Sequence, residues 1–179
     1  GPTGPLGPTG PMGPTGSTGP IGPTYSQEGF SAYLSTFSAS SNAQLTGWAV
    51  AAPFFKKTSF DEVTGNYTVP EAGTYSIGAT INYLINTPIT ISLGSGVNPS
   101  FIVKRTFPTS AELIKGLFPQ INVSVTLLNL RSVLGGGSIT LTGEVKLSAG
   151  DIIGLFYNAD GMTLSVQFQT IVWSILRVA

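Results

Sequence analysis

Glycine stands at every third position from Gly1 to Gly22, and residues 1–24 divide without remainder into eight triplets: GPT GPL GPT GPM GPT GST GPI GPT. Three polyproline-II strands can wind about one axis only if the residue facing that axis has no side chain, and an unbroken glycine period supplies that residue. Proline follows glycine in every triplet but the one holding Ser17, which sets φ near the required value before the strands meet. A disordered Pro/Gly linker needs no period, so the strict register favours a triple helix. At about 3.1 Å per residue the repeat spans roughly 70 Å.

The third position of the triplets is never proline. It carries Thr3, Thr9, Thr15, Thr18 and Thr24, with Leu6, Met12 and Ile21 between them. Such a threonine-rich position resembles the collagen-like proteins of bacteria and large viruses. Those threonines point away from the axis, where they are either O-glycosylation sites or plain solvated side chains. Because Gly1 opens in repeat register, the eight triplets are expected to be the C-terminal end of a longer stalk, with an anchoring protein beyond it. So short a stretch without hydroxyproline needs something to clamp its three strands.

Residues 25–29 read as a junction and 30–179 as a domain of another character. The stalk has no charged residue, and the whole chain has only 9%, well under the roughly 25% usual in soluble domains. Such a surface is expected to be buried in an oligomer or covered with sugar. Net charge is zero, so no field favours nucleic acid. No apolar run approaches the ~20 residues of a membrane-spanning helix, so membrane insertion is not expected. The chain contains neither cysteine nor histidine, which removes Ser-His-Asp and Cys-His catalysis, disulfides and the usual zinc sites.

Alternating apolar and polar residues recur along this second part, in Tyr75 to Tyr83, Ile89-Ile91-Leu93 and Ile121-Val123-Val125-Leu127. They return in Ile139 to Leu147, Met162-Leu164-Val166-Phe168 and Ile171-Trp173-Ile175. A period of two marks half-buried antiparallel strands. No 3.6-residue period is sustained; Ala111 to Phe118 is expected to form at most a short turn or helix. Turns are expected at Thr64-Gly65-Asn66, Glu71-Ala72-Gly73, Gly94-Ser95-Gly96, Gly135-Gly136-Gly137, Ala149-Gly150-Asp151 and Ala159-Asp160-Gly161, with Gly65 and Gly73 at positive φ. The fold class is all-β, a sandwich or jelly roll.

Four segments carry a family resemblance. Phe30 to Ser35 resembles the first strand of the C1q/tumour-necrosis-factor superfamily. Thr64-Gly65-Asn66-Tyr67-Thr68-Val69-Pro70-Glu71-Ala72-Gly73-Thr74-Tyr75 is similar to its central signature. Val145 to Ile153, with Gly150-Asp151, resembles a later strand and turn, and Trp173 to Val178 the last strand. The segments occur in family order across residues 30–178. Together with the stalk they resemble the collagen-like glycoproteins of the Bacillus exosporium (BclA type). The resemblance implies a C1q/TNF-like jelly roll forming a homotrimer behind a collagen triple helix, and an extracellular place on a spore exosporium or appendage.

No constellation points to catalysis, and no cofactor is expected. Glu28, Asp61, Glu62, Glu71, Glu112, Glu144, Asp151 and Asp160 are scattered, whereas carboxylate chemistry needs two together. Asn158 and Asp160 are the one candidate pair for calcium, which some members of the resembled family bind near the trimer apex, although an ordinary β-turn explains Asn-Ala-Asp-Gly better. Asp151 is expected to cap its own turn. Lys56-Lys57 and Lys104-Arg105 read as solvated sheet edges. Asn66 and Asn122 fit the N-glycosylation pattern. Two functions remain: a structural filament tip that nucleates and caps the stalk, or an adhesin recognising a host glycan or protein.

Overall fold

The computed structural model describes residues 1–22, 27–85, 93–125, 128–133 and 135–179, with backbone alone over 121–131 and at 133. Residues 1–22 have no regular secondary structure within one chain and are exposed throughout. The rest is all-β. Its strands are β1 (Gly29–Ala39), β2 (Ala43–Gln44), β3 (Phe55–Lys56), β4 (Phe60–Asp61), β5 (Asn66–Thr68), β6 (Gly73–Leu84) and β7 (Ser100–Phe107). They continue as β8 (Ala111–Leu117), β9 (Gln120–Val125), β10 (Leu128–Val133), β11 (Gly136–Leu147), β12 (Ile152–Asn158) and β13 (Val166–Arg177).

Two antiparallel sheets face each other. One runs β11-β6-β13-β1-β3, the other β4-β5-β12-β7-β8 with β2 paired to β12. β9 and β10 form a separate hairpin. Alternation decides what lies between the sheets: β6 turns Tyr75, Ile77, Ala79, Ile81 and Tyr83 inward, and β12 turns Ile153, Leu155 and Tyr157 to meet them. Burying each large side chain of this kind contributes about 1.5–3 kcal/mol.

The aromatic residues of the core fall into two groups. Near the stalk, Phe30 stacks on Phe60 at 3.7 Å and meets Trp173 edge-on at 4.9 Å. Tyr67, Tyr75 and Trp48 complete this basal group. At the opposite end Phe101, Phe118, Tyr157 and Phe168 pack together, with Tyr83 and Phe37 on their flanks. Aliphatic side chains such as Ile77, Ile81 and Ile171 fill the space between.

Several expectations need correction. Ala111–Leu117 is a strand, not a turn or helix: β7 and β8 slip register between Val103 and Lys104, so Leu113 and Ile114 stand side by side and break the alternation. Gly136 and Gly137 are not a flexible turn but open β11, where Gly137 pairs with Tyr83. A Cβ on Gly137 would lie 3.1 Å from the Tyr83 hydroxyl. The two runs read as Met162 to Phe168 and Ile171 to Ile175 form one strand from Val166, with a bulge against β6 between Gln169 and Val172. Thr170 adopts φ 49° there, which moves the inward phase from even to odd positions.

Gly65 has the expected positive φ of 75°. Gly73 does not; it is needed because a Cβ would sit 2.5 Å from the Ala179 carbonyl oxygen. Gly29 opens β1. Lys56 does lie on the edge strand β3, but Lys104 and Arg105 lie on β7, which has neighbours on both sides. Ile89, Ile91, Leu127, Tyr25 and Ser26 lie outside the described residues, as do the side chains of Ile121, Asn122, Val123 and Val125.

Candidate functional site

Where the repeat gives way to the head, the chain is pinned on both sides. The Glu28 carbonyl accepts the Arg177 N–H at 2.9 Å, and the Gly29 carbonyl accepts the Lys57 N–H at 3.2 Å. Gly29 has φ 137°, and a Cβ there would lie 2.0 Å from the Ile175 carbonyl oxygen. The Glu28 carboxylate accepts hydrogen bonds from the Ser59 hydroxyl and, at 3.2 Å, from the Tyr67 hydroxyl. Tyr67 is fully buried; burial, reinforced by the Glu28 charge, pushes its phenol far above the ordinary range. Burial also raises Tyr75, whose hydroxyl donates to the Glu71 carbonyl at 2.7 Å. Arg177 closes the same end, pairing with Glu71 and donating to the Ala72 carbonyl.

Gly65 is held nearby by the loop before β5. Asp61 accepts the Val63 N–H at 2.9 Å, with Thr64 beside it at 3.4 Å, and these bonds hold its carboxyl below the usual range. The Lys56 ammonium does the same for Glu62 by a direct hydrogen bond.

At the far end, Asn158 and Asp160 are brought together, but by their own turn. The Asn158 side chain accepts the Asp160 N–H at 3.0 Å, and Asp160 accepts the Asn98 N–H at 2.7 Å. Asp160 has φ 49°, so the pair builds a left-handed turn and tethers the loop before β7. Among the described residues no three acidic side chains gather as a metal site would require. Asp151 caps its turn as its position suggests, accepting the Ser148 N–H at 3.0 Å. It is buried with Arg105 at 3.7 Å, a partner that nothing local in the sequence announces.

A polar groove of about 210 Å³ crosses the β7-β12 sheet, lined by Asn42, Lys104, Ser110, Glu112, Phe156 and Asn158 among others. The Lys104 ammonium lies 5.2 Å from the Phe156 ring centre, a cation–π contact. The groove is smaller than the roughly 300–1,000 Å³ of sites that enclose drug-sized ligands. On the other sheet, the face turned away from the core carries a shallow depression lined by Gly78, Thr80, Thr140, Thr142, Val172 and Ser174.

Thr3, Thr9, Thr15 and Thr18 are exposed; Thr24 lies outside the described residues. A Cβ built on any stalk glycine, Gly1 to Gly22, meets nothing within 4 Å in its own chain. Asn66 uses its side-chain oxygen to accept from Gln44 at 2.8 Å.

Solved structures share this arrangement of strands. Eiger TNF from S. frugiperda superposes with TM-score 0.53 at 17% identity, covering 85% of this chain and 94% of its own. Murine APRIL gives TM-score 0.53 at 10% identity, over 84% of this chain and 100% of its own. The fold is the C1q/TNF jelly roll. The globular domain of zebrafish Complement 1qA protein also aligns, at TM-score 0.49 and 15% identity over 82% of this chain and 94% of its own. No family model matches the sequence. An uncharacterized protein of Acanthamoeba polyphaga mimivirus is 27% identical over 137 residues, 68% of this chain. The chain spans about half (49%) of that relative's length.

Proposed function

We propose that this chain is a structural surface-filament protein whose jelly-roll head associates as a homotrimer, nucleating and capping a collagen-like stalk. The observation that carries this reading is the unbroken glycine period of residues 1–24 placed directly before a jelly-roll head. An unbroken glycine period with no steric cause inside one chain finds its cause when three chains share an axis. The face of the β11-β6-β13-β1 sheet that holds Tyr33, Thr80 and Val172 is the surface for the two further copies. Its small hydroxyl side chains let neighbouring backbones approach closely.

The filament is displayed outside a cell or particle. The threonine-rich repeat favours a spore exosporium or spore appendage, with O-linked sugar on the exposed threonines. An anchoring partner holds the stalk at its far end, and the chain performs no catalysis. Sedimentation of residues 1–179 at micromolar concentration should give one species of three chains with the positive circular-dichroism band of a triple helix. A stable monomer, or a peptide of residues 1–24 that melts as high as the whole chain, would overturn the proposal.

The groove beside Lys104 and Phe156 supports a second reading, a head that also recognises a host glycan or protein. Its size suits one sugar ring or one acidic side chain. A glycan array probed with the whole chain and with Lys104→Ala separates the two readings. Binding lost in the variant supports recognition, and no binding by either leaves the structural role.

A further inference from the structure

We infer that Glu28 is a positioning residue through which the folded head sets the exit of the stalk, an inference that rests on the clamp reading above. Glu28 is the first charged side chain of the chain, after 27 residues without one. Its placement joins the two sheets. The backbone at Glu28 and Gly29 belongs to the β1 side, bonded to Arg177 of β13 and to Lys57 beside β3. Its carboxylate reaches the other sheet, taking hydrogen bonds from Ser59, just before β4, and from Tyr67 of β5. Hydrogen bonds to an ionised acceptor are about twice as strong as neutral ones.

Tyr67 in turn is locked by its ring contacts with Phe30 at 5.4 Å and Tyr75 at 6.2 Å. The basal aromatic group thus holds the phenol, the phenol and Ser59 hold the carboxylate, and the carboxylate fixes Glu28, the residue that leads into β1. In a trimer, three such fixed exits place three glycine repeats at one height and one distance from the axis. A loosened exit lets each strand start at a different height, which lowers the effective concentration of correctly staggered strands. Glutamate suits this role because one carboxylate oxygen, Oε1, can accept from both Ser59 and Tyr67 while the backbone stays bonded to the β1 side.

The test uses the full chain in five forms: wild type, Glu28→Ala, Glu28→Gln, Tyr67→Phe and Gly65→Ala. The stalk is followed by its triple-helix circular-dichroism band on heating and on cooling, and the head by the fluorescence of Trp48 and Trp173. Glu28→Ala is expected to lower the stalk midpoint and slow its recovery, while the head midpoint falls by only about 2–4 °C. Glu28→Gln keeps an acceptor oxygen and should restore the stalk. Tyr67→Phe, which removes one of the two bonds, should shift the stalk the same way by less. A wild-type stalk midpoint and recovery rate in Glu28→Ala would overturn the inference. An equal fall of head and stalk would also overturn it, showing a purely structural contact. Gly65→Ala separates this from the clamp reading. If the head unfolds and the stalk persists, the clamp itself fails; if the stalk collapses there but not in Glu28→Ala, only the role of Glu28 fails.

Discussion

Glycine does opposite work in the two parts of this molecule. At Gly65 and Gly73 of the head a missing side chain answers crowding inside one chain: a Cβ on Gly65 would lie 2.4 Å from the Leu45 carbonyl oxygen, and one on Gly73 would meet Ala179. In the stalk the same residue recurs every three positions, and a Cβ there meets nothing. Gly65 and Gly73 are therefore explained by the fold of the chain that contains them, whereas for the repeat glycines the proposed triple helix supplies the reason. Substituting one kind should be felt by an isolated chain, and substituting the other only by an assembly.

The largest effect is expected at Gly65→Ala, where the backbone clash adds to a positive φ. A loss on the order of 3 kcal/mol or more is expected, measured by urea unfolding of the whole chain. A head of wild-type stability would break the comparison at its firmer end. Phe30→Ala removes the ring at the centre of the basal group and should cost about 3–5 kcal/mol, read in the same experiment. If three chains wind together as proposed, Gly13→Ala should disrupt that triple helix locally and leave the head midpoint unchanged. A shifted head midpoint would mean that the stalk supports the head as well as the reverse.

The smallest effect concerns Tyr157. Burial pushes its phenol up to about 12, from an ordinary value of about 10. The neutral form is favoured in the folded head, so its contribution is complete below about pH 10 and is lost as pH rises towards 12. The Tyr157 hydroxyl has no hydrogen-bond partner among the described residues. Tyr157→Phe should therefore change stability at neutral pH by less than about 1 kcal/mol and flatten the alkaline decline. Urea midpoints measured across that pH window would check both halves of the expectation.

The glycine period and most of the strands were legible because each depends on residues close together in the sequence. Tyr75 to Tyr83 alternates because one strand faces one core, and Asp151 caps a turn three residues away. Sequence reading stopped where two strands adjust to each other. Leu113 and Ile114 conceal a strand because the slip against β7 gives two consecutive residues to one partner position. Thr170 conceals the continuity of β13 in the same way. Glu28 meets Tyr67 from 39 positions away, so no local pattern could pair them. The turn at Asn158 and Asp160 was foreseen, but its link to Asn98 was not.

The separation of the aromatic core into two groups means that the two ends of the head are packed by separate sets of rings. Its tip and its root share strands but not rings, and the bulge at Thr170 falls where one group gives way to the other. A substitution among the rings of the tip should then leave the ring contacts of the root in place, so variation at one end need not reach the other.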